Sequence, residues 1–246
     1  MTLQEIQQKI KDAPALTFED IFNKSIELFK KGWLYGFMLQ IIILIITLPF
    51  ILVLYGPLVV SIVAQSKSGH FDSDIFSSLF AGFTAFYLIV FVFGILAAMV
   101  FQLALQAGFF RIMKAIDEGE EVKASDLFYY LKGKYFGSVT LLMIATVLIS
   151  FIGALLCYVP LIYAIIPISF FTIVYAFNPE LTIGDIVQIS FNLGTKKWLI
   201  SFGLFIVTYL LIIVLTLLTC GIGSLFLSPF VYLPLYFVYK EVVGFH

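Results

Sequence analysis

The sequence is short of charge, histidine and cysteine, and each shortage closes off a class of protein. Only 12% of its 246 residues are charged, against 62% hydrophobic. A soluble domain carries about 25% charged and roughly 45–50% apolar residues. A soluble globule of this length has too little interior to hide so much apolar surface. Disordered chains have the opposite composition. A nucleic-acid binder needs excess basic charge, whereas the net charge here is −1, so no nucleic-acid partner is expected. Two cysteines cannot build the framework of a small secreted scaffold. Two histidines, His70 and His246, leave no Ser-His-Asp triad. Neither HExxH nor the phosphate-cradling GxxxxGK[ST] occurs. The first residues, MTLQEIQQKIKDAP, include Glu5 and Asp12 and lead into no apolar core, so they read as something other than a signal peptide.

What the chain does have is long apolar runs. A helix needs about 20 apolar residues to cross the hydrocarbon core of a bilayer. Six runs qualify, at about 33–54, 83–108, 135–156, 159–177, 198–218 and 222–239. The second is longer than one crossing and should tilt or protrude. The expected fold is all-α: a polytopic membrane protein of six transmembrane helices, arranged as three hairpins with interfacial amphipathic helices. The lipid bilayer is then its principal partner, with room for a membrane-protein partner.

The scarce basic residues are distributed unevenly. Lys9, Lys11, Lys24, Lys30 and Lys31 precede the first run. Arg111, Lys114, Lys123, Lys132 and Lys134 lie between runs two and three. Lys196 and Lys197 precede the fifth, and Lys240 follows the sixth. In a six-span topology 13 of the 14 fall on one side, and only Lys67 on the other. The positive-inside rule then puts both termini in the cytoplasm.

A segment also recurs. Residues 16–37, LTFEDIFNKSIELFKKGWLYGF, and 181–202, LTIGDIVQISFNLGTKKWLISF, share ten identities in 22 positions. Thr17 and Thr182 are candidate N-caps, with Asp20 and Asp185 three residues on, a variant of the capping box. Apolar residues follow at helical spacing opposite a polar face, as in a helix lying in the membrane interface. Trp33 and Trp198 suit an aromatic belt, and Lys30, Lys31, Lys196 and Lys197 are placed to reach headgroups. A weaker third copy starts near Ser125. Six of the eight prolines fall as one pair per hairpin. The reading is one integral domain, residues 1–246, of three units at about 16–116, 121–180 and 181–246. The alternative is that entry segments look alike because the interface demands it.

Taken together, the capped segments with central Ser25 and Ser190, the Lys-Lys or Lys-x-Trp approach, the proline-broken hairpins and Asn178-Pro179-Glu180 resemble uncharacterised bacterial multi-pass proteins. These are similar to the membrane domain attached to some glycerophosphoryl diester phosphodiesterases. The resemblance implies a six-helix domain in the bacterial cytoplasmic membrane and no catalysis, since the phosphodiesterase chemistry belongs to a separate barrel. Similar proteins also carry the name of carotenoid-cleaving monooxygenase. That chemistry uses four histidines on Fe(II), and other non-haem sites use two His and a carboxylate. His70 and His246 fall on opposite sides of the expected topology, so a shared iron centre is disfavoured and no cofactor is expected.

No Asp, Glu, Lys or Arg lies in the middle of any expected span, which counts against an ion path or proton relay. Gln102 and Gln106 share a helix face at i, i+4 and, with Gln40, are candidates to line a polar cavity. Interhelical hydrogen bonding is the favoured explanation of the three. Gly94 and Ala98 form a small-residue packing step. His70, Asp72 and Asp74 form a weak candidate cation loop, and Asp117, Glu118, Glu120 and Glu121 a polar turn around Gly119. Cys157 and Cys220 end spans three and five on the same side; they are either a disulfide or two buried thiols. The aromatic runs ISFFTIVYAF and FVYLPLYFVY read as packing and interface anchoring. The functional expectation is a non-catalytic scaffold, partner-binding or lipid-organising module. The alternatives are a transporter of a hydrophobic or lipid-like substrate and a membrane enzyme acting on a lipid or carotenoid.

Overall fold

The computed structural model describes residues 1–68, 85–156 and 159–245. His70, Asp72, Asp74, Cys157 and His246, and the readings attached to them, lie outside the described residues. The protein is an all-α polytopic membrane protein, with no strand among the described residues. The elements are α1 (Leu3–Lys11), α2 (Phe18–Ser68), α3 (Ala85–Glu118), a 3-10 helix (Ala124–Leu131), α4 (Gly133–Leu155), α5 (Val159–Ser169), α6 (Phe171–Phe177), α7 (Ile183–Lys196), α8 (Trp198–Leu218), α9 (Gly223–Leu227), a second 3-10 helix (Ser228–Val231) and α10 (Tyr232–Val242). Among the described residues five stretches are long and apolar enough to cross a bilayer: Phe18–Val53, Ile89–Glu118, Gly133–Leu155, Pro160–Phe177 and Trp198–Leu218.

The sixth run takes a different form from a single helix. After α8 the chain turns through Cys220 (φ 51) and Gly221 (φ 93), and Gly221 N donates to Thr216 O at 2.8 Å. Pro229 then sits in the 3-10 turn and Pro234 in the first turn of α10. Each lacks an N–H, so the α-helical ladder restarts instead of continuing. Every residue from Leu233 to Tyr239 is buried. A helix apolar all round belongs inside a protein, and α10 is such an element. By contrast, α8 exposes Leu199, Leu210, Leu217 and Leu218, the surface that lipid covers.

The chain forms two compact units, Met1–Ile41 with Leu103–His246, and Ile42–Gln102. In the second unit Gly94 lies against Phe50. A Cβ there would stand 2.3 Å from the ring, so the small-residue step is a packing device. In the first unit, α1 begins with a capping box: Glu5 N donates to Thr2 Oγ1 at 3.3 Å, and Thr2 N to Glu5 Oε2 at 2.8 Å. Ile6 and Ile10, one turn apart, bury themselves as α1 packs on α7. α7 is capped as expected, Asp185 N donating to Thr182 Oγ1 at 3.2 Å. Thr17 makes no such side-chain bond; its carbonyl accepts from Ile21 N.

The two recurring segments end differently. α2 runs on through Trp33 into its apolar stretch, whereas the second segment breaks at Lys197 between α7 and α8. Gly194 lies so close to Pro167 that a Cβ would stand 2.6 Å from its Cα. α7 is thus pressed onto α5 just before the break.

Candidate functional site

The most polar part of the interior follows α10. Tyr232, Tyr236 and Tyr239 stand at i, i+4 and i+7, one face of a helix. A buried phenol needs a partner for its O–H, and each tyrosine meets one from another part of the chain. Gln106 Nε2 on α3 donates to Tyr232 Oη at 2.8 Å. Tyr236 Oη donates to Asp117 Oδ2 at 2.7 Å. Asn178 Nδ2 donates to Tyr239 Oη at 2.7 Å and to Val174 O at 3.0 Å. Lys240 Nζ also meets Asp117 Oδ2, at 2.5 Å. α10 is therefore bonded to both α3 and the end of α6.

Gln106, an expected cavity residue, is thus bound to a tyrosine. Gln40 is half-buried, and no hydrogen bond joins it to Gln106 among the described residues. Gln102 is half-buried in the other compact unit. Asp117 departs from the polar-turn reading. It is helical, and its carboxylate is only 18% exposed, held by Lys240 and Tyr236. Sequence reasoning missed Tyr232, Tyr236 and Tyr239. Their i, i+4, i+7 spacing inside a proline-broken apolar run was the available signal.

The expected interfacial anchors separate into two groups. Lys31 and Lys196 are exposed, and Lys30 pairs with Glu27 at 2.7 Å on the surface. Trp33 is exposed and near Phe226, while Trp198 stacks on Phe202 and donates to Tyr163 O at 3.0 Å. Lys197 is the correction. It is 9% exposed, and its Nζ donates to Pro14 O at 2.5 Å. Burial, and then neighbouring Lys196, hold its pKa below the usual lysine value. The break after α7 turns it inward, where it ties down the segment after α1. Lys9 Nζ does the same for the other end of the chain, donating to Val243 O at 2.8 Å. Cys220 has a free, exposed thiol, not a buried one.

A cavity of about 330 Å³ opens beside this core, lined by Arg111, Lys114, Glu120, Glu121, Asp126 and Tyr129 among others. Its wall exists because Gly108 has no side chain: a Cβ there would stand 2.2 Å from Leu127 O. The 3-10 helix thereby lies directly on α3. Asp126 Oδ2 accepts from Lys123 N at 3.1 Å and caps that helix. Tyr130 is buried and donates to Ala176 O. Burial drives its phenol pKa well above the usual value, Arg111 opposing. The hydrogen bond shared with Tyr135, helped by Arg111 and Lys132, lowers that of Tyr129. The Arg111 guanidinium lies 3.8 Å from the centre of the Tyr129 ring.

Between α8 and α10, Ser201, Leu204 and Pro234 pack with no room for water between them. Among the described residues no group of three or more His, Cys, Asp or Glu is placed to hold a metal ion. Compared with known protein families, with curated proteins and with solved structures, the chain finds no match in any of the three.

Proposed function

We propose that this protein is a non-catalytic, lipid-organising integral membrane protein. The reading places it in a bacterial cytoplasmic membrane with both termini in the cytoplasm. One observation carries it: in the first compact unit each of the three α10 tyrosines is bound to a side chain from elsewhere in the chain, while the open polar cavity is bounded by the short helix Ala124–Leu131. Gln106 with Tyr232, Asn178 with Tyr239 and Asp117 with Tyr236 leave little in that core to act on a substrate. The lysine-to-carbonyl ties from Lys9 and Lys197 brace α1 against α7 and the end of α10. Such bracing suits a surface that presents fixed groups to lipid headgroups.

An internal repeat belongs to the same proposal. Ile21 and Ile186, Ser25 and Ser190, and Leu28 and Leu193 are buried at equivalent positions. Each pair lies on the inward stripe of its helix, so the recurring residues share a packing role. The membrane-protein partner stays a part of this reading, with the exposed Lys31 and Lys196 as surface groups available to it.

The test is the lipid composition around the full-length protein, extracted with its native lipids in polymer-bounded discs. Enrichment of one lipid class over the surrounding membrane supports the proposal. Discs matching the bulk composition, together with turnover of any lipid, would replace it with an enzymatic reading.

A further inference from the structure

The cavity beside α3 is lined by charges of both signs, and its arginine meets none of the carboxylates. Arg111, the single arginine of the chain, and Lys114 come from α3. Glu120, Glu121 and Asp126 come from the segment that follows it. Among the described residues no carboxylate lies within 4.0 Å of the Arg111 guanidinium, and neither Glu120 nor Glu121 forms an ion pair. Arg111, Glu120 and Glu121 are exposed, so solvent weakens their mutual attraction, and local contacts decide where each group stands. Arg111 is held on the face of Tyr129, at 3.8 Å. Asp126 is held by the backbone N–H of Lys123. Tyr130, which also lines the cavity, is fixed through Ala176 O. Arg111, Asp126 and Tyr130 are thereby fixed, while Glu120 and Glu121 stand exposed on the same cavity.

A ligand that fits such a cavity carries both charges itself. The planar guanidinium matches an oxyanion such as phosphate, which it can bind through two parallel hydrogen bonds. Carboxylates match an ammonium that still has N–H groups to donate. The volume, about 330 Å³, is at the small end of ligand sites. Two exposed aromatic residues, Phe128 on the 3-10 helix and Phe136 on α4, flank the segment that carries Tyr129. Exposed rings beside a charged cavity suit the boundary between headgroup and acyl chain. We infer that this cavity binds the phosphate-and-ammonium headgroup of an ethanolamine-type phospholipid. The phosphate sits at Arg111 and the ammonium at Glu120 and Glu121. This assignment rests on the lipid-organising reading and names its headgroup.

Native mass spectrometry of the full-length protein tests it, using mixed vesicles of phosphatidylethanolamine, phosphatidylcholine and phosphatidylglycerol. The expected result is preferential retention of the ethanolamine lipid. The choline lipid has no N–H for the carboxylates, and the glycerol lipid has no cation. Arg111→Gln should lower that retention about tenfold, the effect of losing a hydrogen bond to a charged group. Glu121→Gln should narrow the preference over phosphatidylcholine and leave phosphatidylglycerol unchanged. Because the two substitutions act on different ends of the ligand, either one that keeps the wild-type elution profile suffices. An ethanolamine preference unaltered in both variants removes this site and leaves the lipid-organising reading in place. No retained lipid of any class removes both. Soluble O-phosphoethanolamine is the remaining arm: if it displaces the lipid at equal concentration, the ligand is a free metabolite and the lipid assignment falls.

Discussion

Gly108→Ala is the most informative single change to the fold, because its effect can be worked out from distances. The added Cβ would stand 2.2 Å from Leu127 O, 2.7 Å from Leu127 C and 2.9 Å from Leu127 Cα. An ordinary C···O contact is ~3.3 Å, so the two backbones must part by about 1 Å. Neither is a flexible side-chain end: Gly108 is inside α3, and Leu127 is in the 3-10 helix whose side chain is itself buried. Overpacking of this kind costs about 1–3 kcal/mol, and a backbone clash falls toward the upper end. Alanine returns up to ~1 kcal/mol through its helix propensity. The net expectation is a loss of about 2 kcal/mol. Gly137→Ala supplies the comparison, because nothing lies within 4 Å of a Cβ there. It should be neutral or stabilising by up to ~1 kcal/mol. Unfolding by added sodium dodecyl sulfate, followed by tryptophan fluorescence in mixed micelles, measures both. Equal stability of Gly108→Ala and wild type would refute the close approach of α3 and the 3-10 helix. A loss in Gly137→Ala as large as in Gly108→Ala would refute the propensity and contact argument together.

The remaining expectations follow from individual contacts. Asn178→Ala leaves the Tyr239 hydroxyl buried without that donor and should cost about 1–3 kcal/mol. Tyr239→Phe in the same background should cost less than it does alone, with a coupling of ~1 kcal/mol in the double-mutant cycle; additive effects would break the pairing. Cys220→Gly removes a side chain from a left-handed position (φ 51) and should stabilise by up to ~1 kcal/mol. A destabilised variant would contradict that turn. Lys197→Met cuts the tie to Pro14 O, and faster amide exchange around residues 12–17 is expected; unchanged exchange would show that α1 is held without it. The Tyr130 phenol keeps its proton above the usual value of 10.0 when folded. Above that pH the unfolded chain gives up a proton that the folded one retains, so stability falls with rising pH. Tyr130→Phe should flatten this fall in an alkaline unfolding series, and an unchanged slope would count against the burial of that phenol.

The parts of the fold set by length and hydropathy were legible in the sequence. The fifth run, expected at about 198–218, is Trp198–Leu218. Runs three and four match α4 and the α5–α6 pair to within a few residues. Hydropathy could not separate a helix facing lipid from one inside the protein, since both are apolar. The last run, expected as one continuous span, is broken at Pro229 and Pro234, and every residue from Leu233 to Tyr239 is buried. Direction was equally hidden at the lysine pair. Lys196 and Lys197 are adjacent in sequence, but the helix ends between them, so one faces out and the other inward. Asp117 looked like one of four acids in a turn because its partners, Tyr236 and Lys240, lie more than a hundred residues away.

Electron spin resonance of spin-labelled phospholipids tests the central claim most directly, with the full-length protein reconstituted in vesicles of one background lipid. A lipid-organising protein should hold a motionally restricted population whose size differs between headgroups, with the ethanolamine label exceeding the choline label. A restricted population identical for every headgroup would contradict the account, because the protein would then be an apolar surface wetted by lipid without selection.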